Sequence, residues 1–275
     1  MFGVELPVKI IGVINPYVAM MADQLGAQAL YISGAAVANY EWGLPDLALT
    51  TLDEVANVVF RIRSKTKLPL LVDIDTGWGS PLMIERSIKY LMQSGASAVH
   101  IEDQVFEKRC GHRSGKAVVS ISEMQERIDA AISARGTAPF LIGARSDAYE
   151  TEGLNGVIER AKAYSEADFF FPDALPDIKD FIAVKEQANL PVLINQTEFG
   201  KTPLYTWQEL SKLDFVLYPL SVARGMNYQA KAILDSIINK GSVKQEIEHM
   251  QTRKELYQFL DYESFEKRAT HGNNG

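Results

Sequence analysis

The chain has 275 residues, 47% hydrophobic and 23% charged, the makeup of one ordinary globular domain with a sizeable core. A formal charge of −7 argues against nucleic acid or an anionic membrane surface as partner, because both require a cationic face. A single cysteine, Cys110, excludes an internal disulfide and fits a reducing cytoplasm.

The chain opens on MFGVELPVKI, without the charged segment, apolar stretch and cleavage site of a secretory leader. No apolar run reaches the ~20 residues needed to span a bilayer. From there, short apolar runs alternate with stretches of helical period. Candidate strands fall at 9–14, 28–33, 69–74, 98–102, 140–145, 168–171, 191–195 and 215–218. Between them lie amphipathic stretches at 17–25, 52–65, 83–94, 121–134, 154–166, 177–188 and 207–213. Thr50 or Thr51 is placed to cap the helix that begins Leu52-Asp53-Glu54, and Ser120 with Glu123 matches a capping box. Two further helices are predicted at 223–238 and 244–260, and the terminal HGNNG is expected to fray. Eight strand–helix repeats in one chain predict an α/β fold, a (β/α)8 barrel with extra C-terminal helices, as one domain over 1–275.

Polar residues gather at the strand exits: Asn15, Ser33, Asp73 with Asp75, Glu102 with Asp103, Arg145, Asp173, Asn195, and Ser221 with Arg224. In such a barrel the exits converge on one mouth, where active sites are built. Asp73 and Asp75 are two apart on a strand and so face the same way, which calls for a cation or a proton between them. Oxygen ligands at that density suit Mg2+, with Mn2+ as the alternative, and Glu102 and Asp103 extend the cluster. KRCGHR, residues 108–113, sets the only thiol among Lys108, Arg109, His112 and Arg113. Such neighbours raise the thiolate population and suit Cys110 to proton transfer, while an arginine there can clamp a carboxylate. One cysteine beside one histidine does not supply a zinc site. Neither a GxxxxGK[ST] loop nor a GxGxxG turn after a strand is present, and no Gly-x-Ser-x-Gly elbow points to a serine hydrolase. Small residues in YISGAAVA leave backbone N–H groups able to bind an anion, and Asp46 adds a carboxylate on the next loop.

Taken in order, YISGAAVANYEWGLPD, LLVDIDTGWGS, HIEDQVFEKRCGHR, LIGARSDA, INQTEFGKTPL and LYPLSVARGMN resemble the 2-methylisocitrate lyase branch of the isocitrate lyase/phosphoenolpyruvate mutase superfamily. The resemblance runs from Ile10 to Tyr257. It implies cleavage of a tricarboxylate, (2S,3R)-2-methylisocitrate, to pyruvate and succinate in the methylcitrate cycle of propionate catabolism. By the same resemblance Tyr31, Ser33, Gly34 and Ala35 contact the pyruvate half, and Tyr31 is a candidate base for the substrate hydroxyl. Asp46, Asp73 and Asp75 hold Mg2+ directly or through water, and Glu102 supports that shell. Arg145 pairs with a substrate carboxylate, while Asn195, Thr197 and Arg224 line the succinate side. Cys110, beside Gly111 on a mobile loop, donates the proton. Lys108, Arg109, His112 and Arg113 supply positive charge to the dianionic intermediate. The family also implies a homotetramer in which 223–260 is exchanged between subunits. Related substrates are dimethylmalate and oxaloacetate, and from another class the chain reads as a catalytically impaired metabolite-binding paralogue. Departures from the family pattern are Ala35 or Ala36 for a third glycine, Ser146 for threonine, and Asp173 for glutamate in Phe171-Pro172-Asp173-Ala174.

Overall fold

The computed structural model describes residues 6–109 and 111–271. Its centre is an eight-stranded parallel sheet ordered β6-β5-β4-β3-β2-β1-β8-β7. The strands are β1 Val8–Gly12, β2 Ala29–Ile32, β3 Leu70–Asp73, β4 Ala98–Glu102, β5 Leu141–Ser146, β6 Phe169–Pro172, β7 Leu193–Asn195 and β8 Phe215–Tyr218. A parallel bridge from Phe170 to Val192 joins β6 to β7, with the Phe170 N–H donating to the Pro191 carbonyl at 2.8 Å, and makes the sheet a nearly closed ring. The (β/α)8 expectation is met. Branched and aromatic side chains are buried on both faces. Ile10, Tyr31, Leu71, Leu141, Phe169, Phe171 and Leu217 fill the interior, while Leu30, Val72, Val99, Ile142 and Phe170 pack outward under the helices.

The covering helices begin with α1 Pro16–Gln24, α2 Gly34–Ala36, α3 Leu52–Arg63, α4 Pro81–Ser94 and α5 Ile121–Arg135. They continue with α6 Tyr149–Ala163, α7 Ile178–Ala188 and the single turn α8 Trp207–Leu210. Thr51 caps α3 in a full capping box with Glu54. At α5 only half the expected box forms: Ser120 accepts from the Glu123 N–H, but the Glu123 carboxylate turns forward to Arg127. Asn15, expected at the mouth, caps α1 instead by accepting from the Val18 N–H at 2.9 Å.

Contacts divide the chain into two compact units, 1–223 and 224–275. The first is the barrel; the second runs from the body of α9 Ser221–Lys240 through α10 Arg253–Phe259 and α11 Tyr262–His271. The single helix expected over 244–260 is broken. A 3-10 turn spans Ile247–His249, Met250 is extended, and Thr252 restarts the chain as α10 through a capping box with Glu255. Among the described residues no helix is long and apolar enough to cross a membrane.

Candidate active site

Side chains at the exits of β2, β3 and β4 form a buried acidic corner. Tyr31 near the end of β2 lies 3.3 Å from Asp73 Oδ2 and 2.9 Å from His100 Nε2. A phenol has one proton. Directed to the carboxylate, it leaves His100 to donate from Nε2 to the tyrosine oxygen. Burial lowers the His100 pKa to about 4, so the imidazole is neutral, and its Nδ1 has no hydrogen-bond partner among the described residues. Burial first, then Asp73, pushes the Tyr31 phenol well above its usual value, so Tyr31 enters the site as a donor.

Asp73 also accepts from the N–H groups of Gly34 and Asp75, both at 3.1 Å. The turn of small residues therefore spends the Gly34 N–H on Asp73. A Cβ on Gly34 would stand 3.1 Å from Asp75 Oδ1 and 3.2 Å from Asp73 Oδ2, which confirms that the two carboxylates converge on it. Ser33 is buried at the start of α2, and Ala35 is half-buried behind it. Into this corner reaches the Lys108 ammonium, 2.5 Å from Asp46 Oδ1 and 2.7 Å from Asp75 Oδ1. Burial lifts the Asp75 pKa to about 6 against the pull of Lys108, with Asp73 and Asp46 adding to the rise. Glu102 is fully buried, neither of its carboxylate oxygens has a hydrogen-bond partner among the described residues, and burial pushes its pKa well up. Its nearest cation is Arg145, 3.5 Å away.

Asp103, expected beside Glu102 in this cluster, faces the other way, as alternation along a strand dictates. It accepts from the Asp147 N–H at 2.9 Å, Ser146 Oγ at 2.7 Å and Arg160 at 3.2 Å, which makes it a brace behind the barrel wall.

Beside the acidic corner, 3.5 Å from Glu102, lies a corner built around Arg145. Its Nε donates to Asp147 Oδ2 at 2.8 Å, one terminal nitrogen donates to Asp173 Oδ2 at 2.9 Å, and its plane lies over Phe171. Asp173 in turn accepts from the Asn195 amide at 3.2 Å. Although burial opposes it, the Arg145 charge, followed by His112 and Lys116, holds the Asp173 carboxyl far below the usual range. His112 Nδ1 accepts from the Lys201 N–H at 3.0 Å, so the ring proton sits on Nε2, 3.5 Å from Asp173 Oδ1. Thr197 is buried beside this group, and its methyl would meet a Cβ on Gly200 at 2.7 Å.

The basic loop splits between these corners. Lys108 goes to the acidic side, and His112 and Gly111 to the Arg145 side. Arg109 and Arg113, expected to face the mouth, are exposed. Gln104 grips the Arg109 backbone from both sides, at 3.0 and 2.8 Å, and the Arg109 side chain reaches outward to the Ser114 carbonyl. Cys110 lies outside the described residues. Arg224 is half-buried on α9 in the second unit. Ser221 bonds to Glu198. Sequence reading missed His100, Lys116 and Asp147. His100 alternates inward on β4 with Glu102, a signal present in HIED; the other two are recognised only once the loop is folded.

A family model described as phosphoenolpyruvate phosphomutase matches residues 5–239. The chain belongs to this family. A curated relative called 2-methylisocitrate lyase from Shewanella oneidensis is 49% identical over 94% of this chain and 90% of its own. One of the same name from Escherichia coli is 44% identical over 96% of this chain and 91% of its own. Among solved structures, an oxaloacetate acetylhydrolase bound to 3,3-difluorooxalacetate superposes with a TM-score of 0.89 at 28% identity, covering 98% of this chain and 93% of its own. A 2,3-dimethylmalate lyase superposes at 0.87 with 27% identity, covering 97% of this chain and 90% of its own. Family and barrel expectations are both met.

Proposed function

We propose that this enzyme is a Mg2+-dependent lyase that cleaves 2-methylisocitrate into pyruvate and succinate in the cytoplasm, as a step of propionate catabolism. The observation that carries the reading is the carboxylate cluster adjoining the arginine cluster, with Arg145 3.5 Å from Glu102. A substrate with several carboxylates and one hydroxyl needs both.

The acidic corner fits a divalent metal by its donor chemistry. Asp46, Asp73 and Asp75 offer hard oxygens, and Glu102 buries two oxygens that no donor among the described residues reaches. Among the described residues no three such groups close into a coordination set. The Lys108 ammonium stands between two of them. Asp46, Asp73 and Asp75 would hold the ion, with Glu102 accepting from its waters; Mn2+ is the alternative ion. When bound, the metal supplies Lewis-acid charge to the oxygens of the pyruvate half.

The chain's own groups do the rest. Tyr31 donates to an oxygen of the pyruvate half, supported by Ser33 and the small-residue turn through Gly34 and Ala35. Arg145, His112 from Nε2, Asn195 and Thr197 bind the carboxylates of the succinate half. A base takes up the hydroxyl proton as the C2–C3 bond breaks, and the electron pair of that bond passes into the succinate carboxylate. The positive charge of Arg145, with a hydrogen bond from the His112 Nε2–H, lowers the energy of that dianion. The Cys110 thiol then protonates carbon.

A coupled pyruvate assay on 2-methylisocitrate tests the reading. Turnover that EDTA abolishes and Mg2+ restores is the expected result. Faster cleavage of 2,3-dimethylmalate or of oxaloacetate would reassign the substrate.

A further inference from the structure

Lys116 follows the basic loop in sequence and is buried, with 6% of its surface exposed. A lysine is almost never found in that state without partners. Its ammonium donates to the Gly111 carbonyl at 2.6 Å and to Asp147 Oδ1 at 2.9 Å. The Asp147 carboxylate also accepts from Arg145, at 2.8 and 3.2 Å. One carboxylate thus links the arginine of the mouth to the lysine that holds the loop. The loop backbone is pressed onto the same cluster. A Cβ built on Gly111 would stand 1.7 Å from Asp173 Oδ2, 2.5 Å from Arg145 and 2.8 Å from Asp147 Oδ1.

We infer that Lys116, paired with Asp147, is a positioning residue that holds the Gly111 carbonyl and so seats the basic loop against Arg145 and Asp173. The inference deepens the proposed function, because it rests on the adjacent Cys110 being the proton donor. Lys116 touches no reacting atom. It joins the two ends of a turn only five residues apart, and the position of that turn sets where the neighbouring side chain can deliver a proton. A misplacement of about 1 Å at such a step costs on the order of 100-fold in rate.

Lys116→Met in the full-length, Mg2+-loaded enzyme tests this. Two readouts are needed: kcat and KM for 2-methylisocitrate, and the rate at which iodoacetamide alkylates Cys110, the only thiol in the chain. The expected result is a kcat lowered on the order of 100-fold with KM within about threefold, together with faster alkylation. A variant that melts earlier but keeps wild-type kcat and alkylation rate would show a merely structural ion pair and overturn the inference. Should Lys116→Met not fold, the double variant Lys116→Met/Asp147→Asn removes both charges of the pair and is read the same way. If the wild-type enzyme does not cleave 2-methylisocitrate, the functional reading fails. The alkylation rate then decides the inference alone: faster supports the grip and unchanged overturns it.

Discussion

Lys108 is the residue whose chemistry the structure changes most. As one of four cationic residues beside the thiol, it is expected to offer charge to a dianionic intermediate. Its ammonium is instead committed to Asp46 and Asp75, and these carboxylates drive its pKa upward against the cost of burial. In the proposed function, an ammonium and a divalent ion contend for the same oxygens. Lys108→Met is expected to tighten Mg2+ binding at least about tenfold, read by calorimetry without substrate. Weaker binding would mean that the lysine stands alongside the metal rather than in its place. Asp173 resolves differently. It is one methylene shorter than the family's glutamate, yet it reaches both Arg145 and Asn195. For Cys110, the proposed proton donor, Cys110→Ser is expected to reduce kcat by at least about 100-fold while leaving substrate binding measurable by calorimetry. Near-normal turnover would remove Cys110 from that role.

Among the elements, the segment 104–116 matters most, because two of its residues enter different corners of the mouth. Gly111→Ala is expected to leave the barrel's circular dichroism unchanged and to cut kcat on the order of 100-fold, since the added methyl collides with Asp173 and Arg145 when the segment is seated. An active Gly111→Ala enzyme would show that the segment does not need this seat. Strand positions were largely legible before folding: β4 and β8 fall at the expected bounds, because buried parallel strands read as unbroken apolar runs. Helix signals failed where local capping competes with periodicity, as at Thr252, which starts a new helix inside an apparently continuous one. Side-chain direction was legible only where alternation was applied. It pairs Asp73 with Asp75 and Glu102 with His100, and it sends Asp103 outward. Lys116 and Asp147 carry no local signal at all, since their roles arise from a contact across 31 residues of chain.

At the scale of the whole molecule, the second unit holds the clearest unspent surface. Tyr228 is 81% exposed, Ile238 74% and Phe265 59%, an apolar display that a single chain in water pays for without return. Exchange of 223–260 between subunits, which the resemblance implies, would cover Tyr228 and Ile238 with another copy of the same chain. Light scattering on the purified protein is expected to give about four times the chain mass of 30.6 kDa. Tyr228→Glu with Ile238→Glu places two charges on that surface and is expected to lower the assembly state, leaving the barrel's circular dichroism intact. Melting should become independent of protein concentration in the variant and remain dependent on it in the wild type, because association stabilises the folded chain by mass action. A wild-type chain that runs as a monomer, or a double variant that still runs as a tetramer, would leave the apolar face without the role argued for it.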